Sequence, residues 1–174
     1  KRITQHDKLE SILDGIDKAE MAGIKTIKIN AVLMKSSNAP EVEDYFDFVT
    51  DRNIAARFIE LMETGDNRQF FEDNHVAPSA IIEDMIASGW VEQIKGKTDG
   101  PARNHSKKGT IGFITPYAKD FCSSCNRLRV SSRGGLQLCL FGDQDYDLRP
   151  LIQEADIIAL QDKICLLLGL KGET

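Results

Sequence analysis

The chain has 174 residues, of which 41% are hydrophobic and 28% charged, with a formal net charge of −5. These totals describe a globular protein with room for one ordinary domain or two small pieces of larger ones. They leave no segment for a membrane: the longest apolar run, Ile164 to Leu170, is too short to cross one, and Lys1 to Thr4 lacks the apolar core of a signal peptide.

Asp7 to Ala22 reads as an amphipathic helix. Asp7 and Glu10 form a capping pair, Leu9, Ile12, Leu13 and Ile16 make the apolar stripe, and Gly23 ends it. Thr26 to Met34 is strand-like, with Ile27 and Ile29 on one side and Thr26, Lys28 and Asn30 on the other. Pro40 opens a helix carrying Val42, Tyr45, Phe46 and Val49 on one face, and Ala55 to Glu63 is a second strand. Helix, strand, helix, strand at this spacing predicts a crossover unit with parallel strands. Parallel sheets are normally covered on both faces, which two strands cannot achieve. Residues 1–64 are therefore expected to be the closing part of a larger β/α barrel.

After Gly65-Asp66-Asn67 come a helix near Pro78 to Ser88, closed by Gly89, and a short strand from Trp90 to Ile94. A basic loop rich in Gly and Lys follows, then a strand from Thr110 to Thr115. Arg127 to Ser132 and Leu136 to Phe141 are expected to pair as a hairpin around Arg133-Gly134-Gly135. A last helix is expected over Glu154 to Leu168. The fold class is α/β: closing β/α units of an incomplete barrel, residues 1–64, then a small α+β region, residues 65–174.

The chemistry concentrates in this second part. Cys122, Cys125 and Cys139 stand in a C-x2-C-x13-C pattern, with Arg127 and Arg129 just past the first pair. Three thiolates make a metal site one ligand short, and a hairpin would bring Cys139 back to the C-x2-C turn. Structural zinc takes four ligands; a [4Fe–4S] cluster held by three cysteines keeps one iron open to substrate. The spacing leaves zinc and iron–sulfur both open. His105 is a candidate fourth ligand in a loop, whereas Cys165, within I-C-L-L-L-G-L, reads as a buried structural cysteine. Thiols at metal spacing suit a reducing cytosol better than a disulfide framework, so the expected location is cytoplasmic.

Arg127 and Arg129 point the same way on a strand, about 7 Å apart, and suit a polyphosphate or a purine edge. From Lys95 to Arg133 there are nine Lys and Arg against two Asp, on a chain that is acidic elsewhere. That contrast favours a small anionic ligand over nucleic acid. Lys28 on the first strand and Arg57 on the second imply a polar, ligand-holding barrel interior, and Met62 sits near a strand end where barrels place ligand contacts.

With these residues assembled, the chain resembles the radical-SAM GTP 3′,8-cyclase family of molybdenum-cofactor biosynthesis. The resemblance rests on D-F-C-S-S-C-N-R-L-R-V-S-S-x-G-x-L-x-L-C-L-F, on Asp99-Gly100-Pro101-Ala102, on I-G-F-I-T-P-Y, and on K-I-N-A-V-L and R-F-I-E-L-M. It covers almost the whole chain but only the C-terminal half of the family's proteins. It implies that the barrel is a radical-SAM barrel and that Cys122, Cys125 and Cys139 hold a [4Fe–4S] cluster whose open iron meets guanine. It implies GTP contacts at Lys28, Arg127, Leu128 and Arg129, an S-adenosylmethionine contact at Met62, and an active-site arginine at Arg57 near both ligands. The reaction implied joins C3′ and C8 of GTP through a radical made from S-adenosylmethionine at a second [4Fe–4S] cluster. The family's C-x3-C-x2-C for that second cluster is absent, as is its Gly-Gly tail, so both ends look truncated and the 174 residues alone are expected to be inactive. The exposed barrel edge suggests a homodimer. The rival readings are a metal-stabilised nucleotide-binding module without catalysis and a zinc-stapled interaction domain.

Overall fold

The computed structural model describes residues 5–94, 96, 101–119, 121, 127–139 and 144–170. Helix α1 (Leu9–Met21) ends at Gly23, whose φ of +80° lets the chain turn without a Cβ penalty. Its N-cap falls on Lys8, with no side-chain cap bond, one residue past the Asp7 expected from the sequence. The apolar stripe engages over its second half: Ile16 packs on the core, while Leu9 and Ile12 stay exposed. Strand β1 (Ile27–Leu33) leads through a 3-10 turn at Ala39–Glu41, with Pro40 in its first turn, into α2 (Val42–Val49). Strand β2 (Ile54–Glu60) then pairs parallel with β1, Ile27 opposite Ile54 through Leu33 opposite Glu60, as the crossover pattern predicts.

Next come α3 (Arg68–Asn74), α4 (Ser79–Ala87), β3 (Val91–Glu92), β4 (Arg103–Ser106) and β5 (Thr110–Ile114). The five strands form one mixed sheet in the order β1-β2-β5-β4-β3, parallel from β1 to β5 and antiparallel from β5 to β3. Strand β4 lies in the stretch read from sequence as a basic loop. Its R-N-H-S carries no apolar alternation, and it is a strand because both its neighbours pair with it. One face of the sheet is packed. Leu33, Ile54, Ala56, Phe58, Ile111 and Phe113 meet Val42, Phe46 and Val49 of α2 and Met85 of α4 in a single core. Phe58 stacks on Phe113 at 5.6 Å between ring centroids, and Tyr45 meets Phe58 edge-on at 5.0 Å.

Contacts divide the chain into two compact units, Lys1–Pro116 and Tyr117–Thr174. The second unit holds β6 (Arg129–Val130), β7 (Gly135–Gln137), β8 (Tyr146–Asp147), α5 (Arg149–Gln153) and α6 (Ile157–Gly169). The expected hairpin is present: Arg129 pairs with Gln137 and Val130 with Leu136. Gly134 at its turn has φ +80°, and Gly135 lies so close beneath the Asp145 carboxylate that a Cβ would collide with it. Leu136, Leu138, Leu148 and Leu167 form the buried core, joined by Tyr146, Leu160 and Ile164. Cys165 is exposed, contrary to the sequence reading. The inward face of α6 runs through Leu160, Ile164 and Leu167, and a residue one step past Ile164 is turned about 100° away. Among the described residues no helix is long and apolar enough to cross a membrane.

Candidate functional site

The sheet of the first unit has a second face, and it is built of different residues. In the packed face, β2 alternates Ile54, Ala56, Phe58 and Glu60, all buried. The other face carries Lys28, Asn30 and Val32 from β1, Ala55, Arg57 and Ile59 from β2, Thr110, Gly112 and Ile114 from β5, and Asn104 and Ser106 from β4. Of these only Gly112 is buried; Lys28 and Asn30 are exposed and Arg57 is half-buried. Among the described residues, no helix of the core cluster packs on this side. This face mixes apolar residues, Val32, Ala55, Ile59 and Ile114, with two cations on adjacent strands, Lys28 and Arg57.

Two atoms on this face are buried without a hydrogen-bond partner: Nε of Arg57 and Oδ1 of Asn104. Such orphans cost about 1–3 kcal/mol each, so a fold that keeps two in one row needs a reason. Sequence reasoning found Lys28 and Arg57 from the alternation of I-K-I-N and A-R-F-I. It missed Asn104, because nothing in R-N-H-S marks a strand.

At the C-terminal ends of the parallel strands, where α/β sheets hold ligands, the segment after β2 is tightly tied. Met62 is half-buried. Its carbonyl accepts a bond from Asn67 Nδ2 at 3.0 Å, while Asn67 Oδ1 accepts from the Thr64 amide at 2.7 Å. Glu60, 5% exposed, is paired with His75 Nε2 at 2.9 Å. Asn67 and the Glu60–His75 pair were not singled out in the sequence, since their roles depend on contacts that spacing does not encode. A groove of 490 Å³ opens on the helical side over Phe46, Met85 and Trp90, rimmed by Asp47, Asp84 and Lys107. Its mixed charge favours no ligand class.

In the second unit, Cys139 is half-buried just past β7. The β6–β7 register, continued, brings Cys139 level with Arg127, two residues along the chain from Cys125. Arg129 on β6 is half-buried, and Arg127 and Leu128 are exposed. Cys122 and Cys125 lie outside the described residues. Among the described residues, no three His, Cys, Asp or Glu gather into a metal-binding group. His105, weighed as a fourth ligand in a loop, is instead a core residue of strand β4, 1% exposed and edge-on to Phe113 at 6.0 Å. Burial lowers its pKa from the ordinary 6.5.

Comparison with known proteins adds identity to this geometry. The model of the Molybdenum Cofactor Synthesis C family matches residues 54–174. The GTP 3′,8-cyclase of Stenotrophomonas maltophilia strain R551-3 is 44% identical over 176 aligned positions, covering 99% of this chain and 54% of that protein. The GTP 3′,8-cyclase of Actinobacillus pleuropneumoniae serotype 5b strain L20 is 47% identical over 174, covering 98% and 51%. That of Vibrio atlanticus strain LGP32 is 47% identical over 156, covering 88% and 47%. The chain spans about half the length of the curated relatives it matches.

Proposed function

The chain belongs to the Molybdenum Cofactor Synthesis C family, and from that premise we propose that it is the substrate-binding part of a GTP 3′,8-cyclase. The observation that carries the reading is the 44–47% identity, over nearly the whole chain, to proteins of that name. The uncovered polar face of the sheet supports it, because a β/α barrel would enclose that face and a ligand would need its cations. Residues 1–64 then serve as closing units of a radical-SAM barrel, and residues 65–174 as the cluster-binding and GTP-binding region.

Under this reading Lys28, Arg127, Leu128 and Arg129 hold GTP, while Arg57 and Met62 meet S-adenosylmethionine. The guanidinium groups of Arg127 and Arg129 provide paired donors matched to phosphate oxygens, a task for which lysine is the poorer choice. Cys122, Cys125 and Cys139 hold a [4Fe–4S] cluster. The donor set fits: soft thiolates, three in number, with Cys139 two residues past Gln137, the strand partner of Arg129. When bound, the cluster supplies an iron free to take a purine atom. The chain's own residues do the placing, with phosphates on cations and the base held beside Leu128, so that the reacting atoms are brought together before any chemistry begins. Cleavage of S-adenosylmethionine requires a second cluster, and no cysteine precedes Cys122 to hold one. The 174 residues are expected to bind GTP without converting it. Unbridged thiolates at this spacing would persist in a reducing cytoplasm.

Anaerobic iron and sulfide analysis, with absorption spectra before and after GTP, tests the reading. About four irons and four sulfides per chain, with a spectrum that GTP perturbs, are expected. One zinc and no response to GTP would replace the cyclase reading with a zinc-stabilised module.

A further inference from the structure

Four strands contribute one residue each to a single row across the open face: Asn30 of β1, Arg57 of β2, Gly112 of β5 and Asn104 of β4, each the Cα partner of the next. The two orphaned atoms of that face lie in this row. One is a donor, Arg57 Nε–H, and the other an acceptor, Asn104 Oδ1, so each is what the other lacks. Gly112 stands between them. A Cβ added there would come within 2.6 Å of Asn104 Oδ1 and 3.2 Å of Arg57 Cγ. The absence of a side chain at 112 is what allows the two to lean over the same position.

We propose that Asn104 is a positioning residue for Arg57, and that the Nε–H to Oδ1 bond closes when an anionic group engages the guanidinium. With Nε tied, the plane of the guanidinium is fixed and its two Nη groups remain as an end-on fork for a carboxylate or phosphate. A neutral amide suits this role better than a carboxylate. Aspartate at 104 would also bond Nε, but its charge would compete with the ligand for the arginine. The proposal rests on the reading of the open face as the ligand face. Both ligands of that reading carry a suitable anion, the triphosphate of GTP and the carboxylate of S-adenosylmethionine, and the experiment separates them.

The full natural chain, reconstituted anaerobically, is titrated with GTP and separately with S-adenosylmethionine by calorimetry. Asn104→Leu should weaken one ligand about tenfold and leave the other and the melting temperature unchanged. The ligand affected is the one whose anion Arg57 grips. Asn104→Ala, which adds no bulk, repeats the test if the leucine variant melts early. Asn104→Asp should weaken the same ligand, because charge as well as geometry is altered. Unchanged affinities in Asn104→Leu and Asn104→Ala would overturn the proposal. If the unaltered protein binds neither ligand, the functional reading falls, and the positioning role is decided by nitrogen-15 NMR with inorganic triphosphate as probe. Slow exchange of the Arg57 Nε–H, lost in Asn104→Leu, would support it; equal exchange in the two proteins would overturn it.

Discussion

His105 is a single residue with a measurable consequence. Its ring replaces an apolar side chain in the core, edge-on to Phe113, and its Nδ1 is buried without a partner. Burial lowers its pKa from 6.5; the charge of Arg103 reinforces that shift, while the charge of Glu92 and a hydrogen bond with the Arg103 backbone oppose it. The unfolded chain therefore takes up this proton more readily than the folded one. The stability tied to neutral His105 is complete above about pH 6.5 and is lost as pH falls through the folded value. Between about pH 7.5 and 5.5 the urea midpoint of the unaltered protein should drop further than that of His105→Leu. Parallel pH profiles would show that His105 takes up its proton as readily in the folded chain as in the unfolded one. Sequence marked His105 as chemically interesting but assigned it to a loop, because a histidine between Asn104 and Ser106 gives no apolar alternation. What makes it a core residue is pairing with Ile111 of β5 and Glu92 of β3.

At the scale of elements, α1 buries none of its residues, yet it has a defined seat. Arg52, past the end of α2, supplies much of it. Its Nη2 donates to Asp17 at 2.5 Å and to Glu20, its Nε donates to Glu20 at 2.9 Å, and its guanidinium lies 4.5 Å from the centroid of the Phe48 ring. The arginine is three-quarters buried, so the network is less screened than a surface pair, though Asp17 stays mostly exposed. Arg52→Ala should speed amide exchange through Leu9–Met21, corresponding to about 1 kcal/mol, and leave β1 and β2 protected. Unchanged exchange in α1 would mean that Ile16 and its apolar contacts seat the helix unaided. Elements with strong periodicity were legible before any coordinates: α1, β1, α2 and β2, and the hairpin at Gly134. The pairing of β2 with β5 was not, because the two strands are separated by α3, α4 and the antiparallel pair, and no local pattern records such a partner. The polar helix α3, R-Q-F-F-E-D-N, was passed over for want of a stripe.

For the molecule as a whole, the two compact units have separate cores, and the second is small. Among the described residues it buries Leu136, Leu138, Leu148 and Leu167, with Tyr146, Leu160 and Ile164 packed around them. The candidate residues divide in the same way. Lys28, Arg57 and Met62 belong to the first unit, and Cys139, Arg127, Leu128 and Arg129 to the second. Strand alternation and cysteine spacing drew attention to both groups in the sequence. It could not reveal Asn104, whose place depends on the register of β4. If the cores are energetically separate, truncating the buried Leu136 (2% exposed) to Ala should cost about 2–5 kcal/mol, which a core of this size cannot absorb. Hydrogen exchange should then lose protection across residues 129–170 while β1, β2 and β5 keep theirs, and GTP should no longer perturb the absorption spectrum. A loss of protection spread equally over both units would instead mean that the chain unfolds as one cooperative body. The first result would give the two groups of candidate residues independent stabilities, so that the hairpin bearing Arg129 could be lost while the Lys28 and Arg57 face stays intact.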